Sequence, residues 1–429
     1  MKYNLLDSSK PQFQKKLFTT LDAYLDYSSI DKKVASILDD IKKNGDNSLI
    51  FYSQKFDNVK FTSSKNFVVT KSQLKKFEKK IPIDLLLAIK AAYKRVTNFH
   101  KKQISRSFTF KDDFGNEMGQ RIVPINSVGV YVPGGTAAYP SSVVMNVAPA
   151  KVAGVKRIAM VSPSKNGKVN NAVMAAASVA GVDVVYTIGG AQAIAALTFG
   201  TKTINKVDKI VGPGNAYVAS AKKQVFGTVG IDMIAGPSEI VVISDGNTPA
   251  RWIASDLFSQ AEHDTNSRSI LISTSKPHLK KVFNEMQLLI DTMPRKKIII
   301  ESISKNGLFI YAKNLKHATE IANEIAPEHL EISTRNPKEL LNNIKNAGAV
   351  FLGKFSSEAL GDYCAGPNHV LPTSGTAKFS SGLSVDDFIK KINILKITKN
   401  GAKKLSNITN TIAISEGLYA HGYSAMLRK

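Results

Sequence analysis

Three short stretches hold most of the side chains able to bind a cation or move a proton. In Ser255-Asp256-Leu257-Phe258-Ser259-Gln260-Ala261-Glu262-His263-Asp264, Gln260 and His263 stand three apart, so on a helix they share a face. In Ala326-Pro327-Glu328-His329-Leu330-Glu331 a carboxylate and an imidazole adjoin just ahead of a strand-like run. The third stretch, Gly361 to Thr373, is turn-rich and carries Asp362 and His369. Nitrogen and oxygen donors without a cysteine cluster suit zinc or another borderline divalent ion, held at an open site rather than a closed structural one. A histidine by itself is more often a surface or satisfied core residue, and His100, His278 and His317 are read that way. The other four, His263, His329, His369 and His421, sit in polar clusters bounded by Gly, Pro or Asn, where packing gives no reason for them. Spacing alone leaves both readings open, a metal site and a set of unrelated polar turns. Cys364, the single cysteine, is read as a structural thiol rather than a nucleophile.

A second group of residues could hold an anion. Pro133-Gly134-Gly135-Thr136, Gly189-Gly190-Ala191-Gln192 and Gly212-Pro213-Gly214-Asn215 each follow a strand-like run and precede a helical one. At such places in open α/β sheets, glycine lets backbone approach a phosphate and a helix N-terminus favours its charge. None is Gly-x-Gly-x-x-Gly, so the ordinary dinucleotide fingerprint is missing. Each turn alone is a plain connection; together they support a nucleotide or anion site.

Positioning these groups falls to a regular alternation that begins near Ser127. Short β-branched runs (Val128 to Val132, Ile158 to Val161, Val182 to Tyr186, Lys209 to Val211) alternate with Ala-rich helical stretches. Such alternation is the signature of βαβ units on a parallel sheet. A second series follows Pro237, with strands expected at 239–243, 269–272, 330–333 and 349–352, so two α/β modules are expected. Residues 1–111 are dominated by helical periodicity, as in Ile83 to Tyr93, without a long Pro/Gly-rich linker. The last 48 residues, 382–429, read as an extension rather than a domain with its own core.

Composition bounds what these motifs can mean. A chain of 429 residues, 43% apolar, can bury a substantial core, and its length favours more than one domain. No secretory leader pattern opens it and no run of about 18 apolar residues interrupts it, so secretion and membrane insertion are not indicated. One cysteine cannot make an internal disulfide, which suits a reducing cytosol. The net charge of +24 invites a nucleic-acid reading, and residues 1–111 hold 23 Lys+Arg against 10 Asp+Glu. Yet Lys outnumbers Arg 49 to 9, the reverse of what base readout wants, and the lysines scatter along helix-like stretches such as Lys71 to Lys80. A solvated face accounts for them, and no nucleic-acid recognition motif is found.

Eight ordered motifs carry a resemblance over nearly the whole chain. They are Tyr131-Val132-Pro133-Gly134-Gly135, Gly189 to Leu197, Val211-Gly212-Pro213-Gly214-Asn215, Ala235-Gly236-Pro237-Ser238-Glu239, Gln260-Ala261-Glu262-His263-Asp264, Ala326 to Glu331, Gly361 to Thr373, and Glu416-Gly417-Leu418-x-Ala420-His421. In that order they resemble the histidinol dehydrogenase family; residues 1–111 match it only loosely. The resemblance implies a cytoplasmic homodimer with two incomplete Rossmann-like parallel-sheet domains, a helical N-terminal region and a C-terminal dimerisation tail. Its expected divisions are an arm at 1–24, a discontinuous main domain at 25–130 and 239–381, an NAD-binding domain at 131–238, and the tail at 382–429. It implies zinc held by Gln260, His263, Asp362 and His421 of the partner subunit. Ser238, Glu416 and His369 would line the substrate pocket with those ligands and His329, while Tyr131, Gln192 and Asn215 would touch NAD. The implied reaction is oxidation of L-histidinol to L-histidine, with zinc as a template, His329 as proton acceptor and Glu328 activating water for the second oxidation. A related dehydrogenase acting on another amino alcohol or a hydroxylated sulfonate would keep the fold; Glu416 and His421 speak against it.

Overall fold

The computed structural model describes residues 2–21, 28–134, 139–164 and 166–429. Gly135 and Thr136 of the first glycine turn, and the expected arm boundary at 24/25, lie outside these residues. Strands β2 Val68–Thr70, β5 Ser127–Tyr131, β6 Arg157–Val161, β7 Val184–Tyr186, β8 Lys209–Val211 and β9 Gly230–Ile231 form a first sheet, in the order β2-β7-β6-β5-β8-β9. Strands β1 Asn4–Asp7, β10 Glu239–Ser244, β11 Arg268–Ser273, β12 Leu308–Tyr311, β13 His329–Ser333 and β14 Ala349–Leu352 form a second, in the order β1-β12-β11-β10-β13-β14. Without the added edge strand, each is a parallel sheet in which the third, second, first, fourth and fifth strands lie side by side. This is the doubly wound order without its sixth strand, as expected. The edge strand is antiparallel in the first sheet (β2 on β7) and parallel in the second (β1 on β12).

The alternation read from the sequence forms these elements for local reasons. In β6 the residues Ile158, Ala159, Met160 and Val161 are all fully buried, so both faces need helical cover. The helix Asn171–Ala180 starts where the Asn170 side chain accepts N–H bonds from Ala172 and Val173, and stops at Gly181 in the left-handed region. Cover for the first sheet comes partly from the N-terminal region. Val34, Ile37, Ile41 and Leu49 pack with Ile194 and Leu197 on one side, and Leu74, Ile89 and Val96 pack with Val143, Val147 and Met174 on the other. Residues 34–96, within the stretch 25–130 expected in the main domain, thus pack on the first sheet. The arm belongs to the second sheet, through β1 and through Phe13 and Leu17, which pack with Val241 and Ile243.

A third, antiparallel sheet joins β3 Phe108–Lys111, β4 Glu117–Pro124 and β15 Ile389–Lys396 in the order β15-β4-β3. The helices Lys399–Ser415 and Tyr419–Met426 follow it and bury only Gly401, Ser406, Ala413 and Gly422. No helix among the described residues is long and apolar enough to cross a membrane.

Candidate active site

The expected site residues fall in three places. Those assigned to NAD lie past the carboxyl ends of the first sheet. Tyr131 ends β5, is buried, and its hydroxyl accepts the Gly190 N–H at 3.1 Å, which ties one strand end to the start of the helix Gly190–Phe199. Burial raises the Tyr131 pKa to about 12, so the phenol stays neutral. Gln192, on that helix, is buried. Asn215 sits in the next turn, where its side-chain oxygen accepts from Tyr217 and Val218 N–H and caps the helix Ala216–Val225.

The chemistry-bearing residues gather at the amino ends of the second sheet. Ser238 precedes β10, and Glu328 and His329 stand at the start of β13, which pairs with β10 in the register Ile240↔His329. His329 is nearly fully buried, and its Nδ1 lies 3.2 Å from Glu239 O, 3.4 Å from Glu358 Oε1 and 3.8 Å from Glu328 Oε2. Its Nε2 is 3.3 Å from Asp362 Oδ1 yet makes no hydrogen bond. Burial opposes an imidazolium here, but the carboxylates of Glu358, Glu328 and Asp362 outweigh it and hold the His329 pKa well above its ordinary value. Burial pushes Glu328 up to about 7, with the His329 imidazole pulling the other way, and one of its oxygens accepts the Glu239 N–H at 3.0 Å. Asp362 is held below its ordinary value: burial opposes its charge, but the imidazoles of His329, His369 and His263 prevail. His369 turns its Nδ1 to Asp362 O at 2.8 Å, and burial lowers its pKa.

Gln260 and His263 complete this group from the end of the helix Ala250–Ala261. Gln260 is fully buried, and neither its oxygen nor its nitrogen has a protein partner. Leaving both ends of an amide unpaired costs about 1–3 kcal/mol per group unless something else binds there. His263 is kept neutral by burial, which outweighs the attraction of Asp362, and a neutral imidazole is the form that ligates a metal. The donor chemistry of Gln260, His263 and Asp362 therefore fits a divalent ion. A second grouping overlaps it: one donor atom each of His329, Glu358 and Asp362 lie within 4.8 Å of one another.

The third place is the tail. Glu416 and His421 are exposed at the junction of the helices Lys399–Ser415 and Tyr419–Met426, and among the described residues no hydrogen bond or ion pair joins them to the cluster of their own chain. The sequence reading also missed the buried acids behind His329. Glu358 reaches about 8, chiefly by burial; Glu331, its backbone neighbour through Glu358 N–H to Glu331 Oε1 at 2.7 Å, is likewise raised by burial. A signal existed. Glu358 lies four residues before Asp362 on one helical face, and Glu331 lies two after His329 on one side of a strand.

Asp362 lies in the helix Glu358–Tyr363 and His369 in the loop that follows it, where a turn-rich stretch is expected for both; the two are anchored to the first sheet's layer. Arg95, on the helix Ile83–His100, donates to Cys364 O at 2.6 Å and Ala365 O at 3.2 Å, and Asn368 donates to Met145 O at 2.7 Å beside His100. Gly236 N–H donates to Thr373 Oγ1 at 2.7 Å. A cavity of about 580 Å³ opens beside Asp362 and His369, walled by Phe99, Phe351, Phe355 and Leu360.

A doubly wound sheet with glycine turns at its carboxyl edge therefore stands beside a second sheet that presents buried acids and imidazoles at its amino edge. Comparison with known proteins gives the family. The family described as Histidinol dehydrogenase matches residues 22–429. Among curated relatives, the histidinol dehydrogenase of Neisseria meningitidis serogroup A is 50% identical over 99% of each chain. That of Clostridium acetobutylicum is 52% identical over 94% of this chain and 93% of its own. The crystal structure of histidinol dehydrogenase from Elizabethkingia anophelis matches with a TM-score of 0.92 at 34% identity, covering 99% of this chain and 98% of that one. The chain belongs to the histidinol dehydrogenase family of NAD-linked oxidoreductases.

Proposed function

We propose that the protein oxidises L-histidinol to L-histidine in two successive NAD-linked steps through L-histidinal, in the cytosol, as the closing reaction of histidine biosynthesis. The observation that carries this reading is a pair of adjacent buried bases of different kinds, Glu328 and His329. Two oxidations at one carbon need two proton acceptors, one for the hydroxyl and one for water added to the aldehyde. His329 directs Nδ1 at Glu239 O and the Glu358 carboxylate. Of the three carboxylates that hold this imidazole protonated, Asp362 would be taken up by zinc, which would leave Nε2 to take the hydroxyl proton as hydride passes to the first NAD. Glu328, with a pKa of about 7, suits removal of a proton from the water that adds to histidinal, before hydride passes to a second NAD. Gln260, His263, Asp362 and His421 of the partner subunit would hold zinc, which when bound fixes the substrate's nitrogens and engages the Asp362 charge. Ser238, Glu416 and His369 would line the substrate pocket, and Tyr131, Gln192 and Asn215 would meet NAD.

A second copy of the chain is the partner this reading requires. Ile408 and Ile412 on one tail helix, and Tyr419, Tyr423 and Leu427 along the next, recur at four-residue spacing and are each 54–69% exposed, apolar surface of the kind that marks association. Glu416 and His421 are exposed on that tail, and the cavity beside Asp362 and His369 leaves room for such side chains from a partner.

Purified protein given limiting L-histidinol should form two NADH per histidine with little free aldehyde, and a chelator should abolish the reaction. One NADH with accumulating histidinal defeats the reading. The shared site has its own test. His263→Asn and His421→Asn homodimers should each be inactive, whereas random reassortment should return about a quarter of native activity through the one intact site of each mixed dimer. Activity that stays at the mutant level after verified exchange removes the tail from the partner's site.

A further inference from the structure

One buried pair of charges takes no part in the chemistry above. Lys222, on the helix Ala216–Val225, and Asp232, just past β9, form an ion pair whose side chains are only 3% and 1% exposed. The rest of their bonding goes to a single residue. Lys222 Nζ donates to Gly212 O at 3.0 Å, and Asp232 Oδ2 accepts the Gly212 N–H at 2.8 Å. Both peptide groups of Gly212 are thus held by one pair.

Gly212 is a residue that needs holding. Its φ of +108° lies in the region that side-chain-bearing residues rarely adopt, and a Cβ added there would run into the Tyr131 carbonyl oxygen. The glycine therefore lies directly against the end of β5, and its conformation sets the direction in which the turn runs on through Pro213 and Gly214 to Asn215. Asp232 is fixed in turn by its own N–H, which donates to Ile210 O at 3.2 Å, and Lys222 by the helix that Asn215 caps. The pair ties the ends of β8 and β9, the turn and the helix into one unit.

Stability alone is a poor reason for such a pair. Taking two charges out of water offsets much of their attraction, and apolar residues of similar volume often do as well or better. We propose that Lys222 and Asp232 are positioning residues for the cofactor, which set the Gly212-Pro213-Gly214-Asn215 turn in the shape that receives NAD. Because the two charges cancel, they would do this without adding net charge beside an anionic cofactor. The inference rests on the reading that this turn touches NAD.

The test is the paired variant Lys222→Met/Asp232→Leu, which removes both ties to Gly212 without stranding a buried charge. The KM for NAD should rise about tenfold, while kcat at saturating NAD and the KM for L-histidinol stay within about a factor of three. A purely structural pair predicts otherwise: a native KM for NAD in the folded paired variant, with or without a lower melting temperature, overturns the proposal. Should the apolar pair fail to fold, Lys222→Met/Asp232→Asn removes the tie to Gly212 O while keeping an oxygen for the Gly212 N–H, and should raise the KM for NAD by about threefold; a native KM in that variant overturns the proposal. Asn215→Ala separates the inference from the reading beneath it. If Asn215→Ala raises the KM for NAD and the paired variant does not, the positioning role is wrong. If neither does, the turn does not meet NAD and both fall.

Discussion

The two sheets share one winding order and use opposite edges. In the first, Tyr131, the turn into the helix Gly190–Phe199 and the turn capped by Asn215 all lie past the carboxyl ends of the strands. In the second, the carboxyl edge is closed by its own side chains: Ser244 Oγ meets His278 Nε2 at 3.0 Å, Thr248 meets Ser333 at 2.7 Å, and Asp245 accepts the Arg335 and Asn247 N–H groups. Its chemistry stands instead at the amino edge, with Ser238, Glu328 and His329. Helix direction explains the division. In a βα unit the helix runs back antiparallel to the strand, so helix N-termini, with their partial positive charge, collect at the carboxyl edge and C-termini at the amino edge. The first edge favours a pyrophosphate; the second favours a cation, and Gln260 lies in the last turn of the helix Ala250–Ala261 with His263 just beyond it.

The sharpest way to break this division is at His329. His329→Asn should lower kcat for L-histidinol by about 10³, inside the range for a lost general base, with the KM for NAD unchanged. A comparable loss of NAD affinity, measured by titration of the cofactor, would mean that the two edges are not separate sites.

Glu328 gives the next largest effect and a sign for pH. Burial raises its pKa to about 7, so the basic form it needs is scarce in acid and predominates above that value. Oxidation of histidinal should therefore climb with pH through about 7 and then level. Glu328→Gln should remove that limb and cost about 10² in rate, with alcohol oxidation hurt less. An unchanged limb in the variant would assign it to another group.

Both edges were legible in the sequence to different depths. The strands after Ser127 were readable because doubly buried strands are continuous apolar runs, and the three clusters were readable because their residue types have no packing role. β12 was missed although Leu308–Tyr311 is as apolar as its neighbours and is bounded by Asn306-Gly307 and Lys313-Asn314, because a four-residue apolar run between two helical stretches reads equally as part of a helix. The siding of residues 34–96 with the first sheet was also hidden, because an amphipathic helix declares that it has an apolar face without declaring what covers it. Glu358 escaped for the converse reason: a carboxylate in a helical stretch reads as surface, and only burial beside His329 makes it part of the site.

The smallest effect belongs to Tyr131, and it tests whether the first edge merely binds. Its hydroxyl accepts one hydrogen bond, from Gly190 N–H, and with a pKa of about 12 it is neutral at any practical pH. On the proposal that the Tyr131 hydroxyl also meets NAD, losing one such neutral contact would cost about 0.5–1.5 kcal/mol of binding, so Tyr131→Phe should raise the KM for NAD by about twofold to tenfold. The ring keeps its buried packing but the Gly190 N–H loses its acceptor, so the melting temperature should fall by a few degrees at most. Since the phenol neither gains nor loses a proton in the working range, the variant should keep the native pH profile, including the limb assigned to Glu328. kcat at saturating NAD should likewise be unchanged, because a bond made equally in ground and transition states affects binding alone. A fall in kcat matching the rise in KM would put Tyr131 among the groups that act on the reacting atoms, and the assignment of binding to one sheet and chemistry to the other would have to be given up.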